Sequence, residues 1–205
     1  MKTISKTEYE SLSELAPKYR LHLKNHPESL LMRIYGGYKV KLYHTAIYII
    51  IMENLFGHWK PYSTYDLKGS WVDRSTGVDA KIKKDCDLRE PIHIGPNVSH
   101  LWDQIRLDTQ LLCDSNIVDY SLLIGLCHIS EDEDIPVRLR YQVGRDNSIL
   151  YIFGIIDMLQ SYNLFKKSEH CWKSTVLCKD KDGISIVHPN KYMARFCNHM
   201  NKILQ

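Results

Sequence analysis

Apolar residues recur at two periods along this chain, and the switches between them mark its elements. Tyr9, Leu12, Ala16 and Tyr19 share one face at helical spacing, and Ser5 and Glu8 stand ahead of them as a capping box. This predicts a helix that Pro17 kinks or divides and that Pro27 closes. Residues 1–4 before it read as a fragment of strand. Two strand-like runs follow, at 32–42 and 46–52, joined around Tyr43 and His44. The second is almost wholly apolar (Ile47, Tyr48, Ile49, Ile50, Ile51), which predicts a central strand buried on both faces. The pattern changes at Glu53–Gly57, so the expected division is a small part, residues 1–56, and a larger one, residues 57–205.

In the larger part, Asn97 is placed to cap a helix carrying Val98, Leu101, Trp102, Ile105, Thr109 and Leu112 on one side. Residues 116–125 read as a strand, and 138–143 with 148–156 as a hairpin around Gly144 to Asn147. Residues 185–187 predict a short strand. Pro189 then opens a final helix with Tyr192, Phe196, Met200 and Ile203 inward. The order predicts an α+β class with antiparallel sheets and flanking helices.

Composition narrows the functional classes. The chain has 205 residues, 44% hydrophobic and 25% charged, which suits one globular unit or two small parts sharing a cleft. A formal charge of +3 is too mild to point to nucleic acid, and none is expected as a partner. The six cysteines show no CxxC pairing and fit a reduced, cytoplasmic chain. His22 and His26 share a helical spacing, but no acidic residue follows the first in the HExxH manner, so zinc is not expected. The longest apolar run, residues 46–52, falls well short of the roughly 20 residues of a membrane span. No transmembrane segment is expected, and membrane contact would be peripheral.

Candidate chemistry starts at Asp119, a carboxylate inside an apolar run between Val118 and Tyr120. Burying it without partners is costly, so either backbone N–H groups satisfy it at a strand end or it serves a reaction. Asp157 is delivered by an apolar strand in the same way, although it could equally cap a helix. Lys2 and Lys68 add cations, each of which could be a plain surface lysine. Phosphoryl transfer needs this inventory: a carboxylate for the attacking hydroxyl, another for Mg²⁺ and cations for the phosphates.

Longer strings carry a resemblance. They are Met-Glu-Asn-Leu-Phe at 52–56, Tyr-Asp-Leu-Lys-Gly-Ser at 65–70, Asn-Ile-Val-Asp-Tyr-Ser-Leu-Leu at 116–123 and Ile-Ile-Asp-Met-Leu-Gln-Ser-Tyr at 155–162. Lys-Lys-Ser-Glu-His at 166–170 and Tyr-Met-Ala-Arg-Phe at 192–196 follow in order. With them the chain resembles the phosphatidylinositol phosphate kinase family, in a phosphatidylinositol 4-phosphate 5-kinase-like form, over nearly its whole length. The resemblance implies a two-lobed, protein-kinase-like fold, with residues 1–56 a partial N-terminal lobe and 57–205 the C-terminal lobe. It implies Asp119 as the catalytic carboxylate, Asp157 as the Mg²⁺ ligand and Lys2 on the phosphates of ATP. Asn54, Leu55 and Phe56 would form the hinge beside the purine. Lys68 and Arg74 would approach the phosphoinositide head group. Residues 161–173 resemble the specificity loop, where Lys166 and Lys167 would meet an anionic membrane surface and Leu164 and Phe165 its interface. Glu169 goes with 4-phosphate as substrate and the 4,5-bisphosphate as product. The implied location is cytoplasmic and peripheral, at the cytoplasmic face of the plasma membrane; the oligomeric state stays open.

One departure from the family pattern bears on activity. The family sets a glycine-rich loop and further strands before the phosphate lysine, which here is residue two. Gly36 and Gly37 stand in the wrong place to supply that loop. The expectation is an N-terminally truncated lobe with poorer phosphate positioning and an exposed sheet edge. The alternative to a working lipid kinase is a truncated, catalytically silent phosphoinositide-binding or regulatory domain, or a fragment of a longer kinase.

Overall fold

The computed structural model describes residues 1–77, 80–130, 133–162 and 187–205. One antiparallel sheet has the order β1-β3-β2, from β1 (Lys2–Ile4), β2 (Ile34–Leu42) and β3 (Thr45–Met52). A five-stranded sheet has the order β5-β4-β6-β8-β7. Its strands are β4 (Ser63–Leu67), β5 (Lys83–Lys84), β6 (Ser121–His128), β7 (Tyr141–Val143) and β8 (Ile149–Ile156). All neighbours pair antiparallel except β4 with β5. The helices are α1 (Lys6–Asn25), α2 (Val98–Asp114) and α3 (Pro189–Ile203). The α+β class with antiparallel sheets therefore stands.

Helix α1 begins as the sequence predicts: the Ser5 hydroxyl accepts from Glu8 N–H, and the Glu8 carboxylate accepts from Ser5 N–H. Pro17 does not divide it, because the helix runs unbroken through that position. Its buried face, Leu12, Leu15 and Tyr19, packs where Ile4 and Ile50 of the smaller sheet meet it and where the main core begins. Strand β3 is central, as predicted, but it is not buried on both faces: Ile50 is 2% exposed and its neighbour Ile51 40%. Alternation sends Ile50 toward α1 and Ile51 outward. Asn97 occupies the N-cap position of α2, yet its side chain makes no capping hydrogen bond.

The main core lies between the larger sheet and helices α2 and α3. Leu101, Ile105 and Leu112 of α2 meet Tyr192, Phe196 and Met200 of α3 against Leu122, Ile124, Phe153 and Ile155. Tyr120 meets Tyr192 and Phe196 edge-on at centroid distances of 4.7 and 5.1 Å. One buried carboxylate ties α1 to this core. Asp108, fully buried on α2, accepts from His22 Nε2 (2.6 Å), Ser29 Oγ (2.8 Å), Leu30 N (2.7 Å) and Gln104 Nε2 (2.9 Å). The stretch just beyond joins the larger sheet, with Ile155 N–H donating to Leu30 O and Met32 N–H to Ile155 O. Of the strand expected at 185–187, residues 185 and 186 lie outside the described residues, and Val187 is in no element.

Candidate active site

Two carboxylates reach one rim of the larger sheet because β6 and β8 are neighbours. Their register pairs Ser121 with Ile156, so the start of β6 lies beside the end of β8. Asp119 stands two residues before the one, and Asp157 immediately after the other. Asp119 is therefore not inside a strand, as the apolar run suggested: pairing starts only at Ser121. Both aspartates have left-handed backbone, φ 63° at Asp119 and 57° at Asp157. That conformation is uncommon for any residue but glycine, and aspartate is among those that tolerate it. It turns each carboxylate out of the ladder while its apolar neighbours stay buried; Val118 and Tyr120 are fully covered. The loops behind are fastened together by Val118 N–H to Gln160 O (2.9 Å) and Tyr162 N–H to Asn116 O (2.8 Å).

The carboxylates face a cleft of about 390 Å³ between the two sheets. Lys2, Glu8, Ile34, Ile50 and Met52 line it from the smaller sheet and α1. Asp119 and residues 156–160 line it from the larger one, with Met32 between. Lys2 Nζ lies 3.2 Å from Asp157 Oδ1, both side chains about half exposed. Lys68 Nζ lies 2.8 Å from Asp119 Oδ1 in a more sheltered pair. An ammonium has three donors, so Lys68 keeps capacity for an anionic oxygen beside Asp119. Tyr192 of α3 donates its hydroxyl to the Tyr120 carbonyl, next to Asp119. Burial first, and then the Asp119 charge, push the Tyr192 phenol well above its ordinary range, so it stays a donor.

A divalent cation arriving with a nucleotide is compatible with this wall. Mg²⁺ is usually held by one or two carboxylates plus substrate phosphates rather than by an all-protein cage. Asp157, exposed on the cleft with Asp119 nearby, supplies that donor chemistry. Among the described residues no group of three or more His, Cys, Asp or Glu could hold a metal alone.

Comparison with known proteins places the chain. The family model described as phosphatidylinositol-4-phosphate 5-kinase matches residues 1–144 and 131–203. The chain belongs to the phosphatidylinositol-4-phosphate 5-kinase family. It is 31% identical over 283 residues to a probable phosphatidylinositol phosphate kinase of Dictyostelium discoideum, covering all of this chain and 39% of that protein. It is 30% identical over 248 residues to a phosphatidylinositol 4-phosphate 5-kinase of Plasmodium falciparum, covering 98% of this chain and 14% of that protein. Against the human phosphatidylinositol 4-phosphate 5-kinase type-1 beta the identity is 29% over 258 residues, covering 98% of this chain and 47% of that protein. The chain thus spans less than half the length of these relatives.

Within this family frame, the structure sorts the residues singled out from sequence. Lys2, Asp119 and Asp157 share one cleft, and Lys68 joins them through Asp119. Asn54, Leu55 and Phe56 follow β3 but are not among the residues lining that cleft. Asn54 Nδ2 donates to Gly57 O, and Leu55 is buried against Gly154 of β8. The stretch is held by Glu53, which accepts from Arg33 N–H (2.7 Å) and Arg140 Nη1 (3.0 Å). Arg74 is buried between carboxylates, its Nε 2.7 Å from Asp85 Oδ2 and its Nη2 2.9 Å from Asp66 Oδ1. Burial opposes its charge, but Asp85 and Asp66 outweigh that and push its ionisation above the usual arginine value. Lys166, Lys167 and Glu169 lie outside the described residues. Sequence reading missed Glu8 as a cleft residue, since capping accounted for it, and missed Asp85, which follows the basic stretch Lys81, Lys83 and Lys84.

Proposed function

We propose that this chain carries the catalytic part of a lipid kinase: ATP and phosphatidylinositol 4-phosphate in, the 4,5-bisphosphate out. The carrying observation is the convergence of Lys2, Asp119 and Asp157 on one cleft, with Lys68 paired to Asp119. Asp119 takes the proton from the inositol hydroxyl, within reach of a head-group phosphate bound by the remaining N–H groups of Lys68. Lys2 holds nucleotide phosphates once they displace its solvent-open pair with Asp157. Asp157 holds Mg²⁺, which supplies charge neutralisation at the transferring phosphoryl group. The apolar wall of Ile34, Ile50 and Met52 is suited to a nucleoside, with Asn54, Leu55 and Phe56 behind it as the hinge between lobes 1–56 and 57–205. Lys166, Lys167 and Glu169 set the membrane contact and the choice of the 4-phosphate, at the cytoplasmic face of a membrane. No described helix is long and apolar enough to cross one.

The test uses the purified 205-residue chain, labelled ATP with Mg²⁺, and vesicles carrying each monophosphorylated phosphoinositide in turn. Product from the 4-phosphate, lost in Asp157→Asn, is the expected result. A folded chain giving no product above that control would overturn the proposal, and vesicle binding without turnover would leave only a silent lipid-binding domain.

A further inference from the structure

Asp85 is a buried carboxylate with no step in the chemistry proposed above, yet it gathers several donors. It opens the 3-10 turn Asp85–Asp87 and is 7% exposed. Its Oδ1 accepts from Gly69 N–H at 2.7 Å and Lys68 N–H at 3.0 Å, while Arg74 Nε donates to its Oδ2 at 2.7 Å. His199 Nε2 lies 3.5 Å from Oδ1. Arg74 also bonds the Asp66 carboxylate and the Asp66 carbonyl, so the strand leading to Lys68 is tied to the same guanidinium. Behind the turn there is no slack. Gly69 has φ +67°, and a Cβ there would come 3.1 Å from the Phe196 Cα of α3.

We infer that Asp85 is a positioning residue, whose two amide bonds fix the Lys68–Gly69 backbone so that the Lys68 ammonium lands on Asp119. A lysine head sits on a flexible four-carbon stem and dwells at one spot only when the backbone carrying it is fixed. Ladder pairing of β4 ends at Leu67, so the Lys68 and Gly69 N–H groups have no strand partner. A buried carboxylate is the acceptor that meets both, and Arg74 compensates its charge. Arg74, expected at the head group, is on this reading the outer strut of that turn. What the Lys68–Asp119 pair does rests on the function proposed above; that Asp85 sets its geometry does not.

The experiment reads geometry and turnover separately on the full chain. Reductive methylation of Lys68, measured by peptide mass spectrometry against the exposed Lys41 of β2, should speed up about tenfold in Asp85→Asn, since a lost charged hydrogen bond is worth at least that factor. Arg74→Gln should raise it less. Unchanged Lys68 labelling in a folded Asp85→Asn chain overturns the inference. Should that variant not fold, amide hydrogen exchange in the unaltered chain decides. Lys68 and Gly69 N–H should both be protected, and rapid exchange of either overturns the inference. In the kinase assay, Asp85→Asn combined with Lys68→Met should be no worse than Lys68→Met alone, whereas multiplied losses would show Asp85 acting by another route. An unaltered chain without turnover defeats the proposed function and leaves labelling and exchange to judge Asp85.

Discussion

Leu55 enters the larger sheet where β8 has no side chain, and this gives a sharp test of how the segment after β3 is seated. A Cβ on Gly154 would lie 2.6 and 2.7 Å from the two Leu55 methyl carbons and 3.2 Å from its Cγ. Leu55 is 4% exposed, so its isobutyl group has no solvent to swing into. Gly154→Ala should therefore overpack the site at ~1–3 kcal/mol, offset by ~0.5–1 kcal/mol from the lost flexibility of glycine, for a net cost of ~0–2.5 kcal/mol. Leu55→Ala should cost ~2–5 kcal/mol in lost burial and residual cavity. The two changes act on one volume, because the new methyl enters space that Leu55 vacates. The double variant should be no less stable than Leu55→Ala alone, a coupling as large as the whole Gly154→Ala cost. Urea unfolding followed by intrinsic fluorescence, with a shared slope, gives each free energy from its midpoint. A Gly154→Ala variant more stable than the parent, or a measurable cost that simply adds in the double variant, would refute the reasoning.

Other substitutions probe the remaining pieces. Asp119→Asn and Asp119→Ala should both abolish lipid phosphorylation. Only the alanine should also cost ~1–2 kcal/mol in thermal unfolding, because asparagine tolerates the left-handed backbone and alanine does not. Lys68→Met should lower turnover on phosphatidylinositol 4-phosphate by about 10²-fold or more, the scale of removing one positioned charge donor. Equal turnover in initial-rate assays would remove Lys68 from the site. Asp108→Ala strands four donors in the core and should cost ~3–5 kcal/mol, read from the urea midpoint. Burial lowers the His199 pKa from 6.5, so the unfolded chain binds more protons near that pH and stability falls as pH drops below it. His199→Gln should flatten the stability profile just below pH 6.5, and an unchanged slope would show that another group titrates there.

The sequence was most readable where structure is local. The capping box at Ser5 and Glu8, the inward faces of α2 and α3, and the hairpin into β8 all follow from spacings of a few residues. The run of isoleucines in β3 misled because branched side chains report strand preference and not what covers each face; Ile51 has no such cover. Asp119 and Asp157 stood out as carboxylates amid apolar residues. Their left-handed backbone did not, because it is imposed by the β6–β8 register and the loop fastening at Gln160 and Tyr162. Asp85 was illegible for a related reason. Its donors are Lys68, Gly69 and Arg74, brought in from across a turn, and nothing near Asp85 in the chain announces them.

The ladder of Leu30 and Met32 on Ile155 has a mechanical meaning beside the Leu55 seat. The smaller sheet is mounted on the larger one at both places, and Arg33 and Glu53, bonded to each other, link them. Two mounts define a line. A third contact, Leu159 packed with Ile4, Leu12 and Ile50, holds the smaller sheet and α1 as well. Opening the cleft at Lys2, on the edge strand β1, therefore costs that apolar contact as well as one solvent-exposed ion pair.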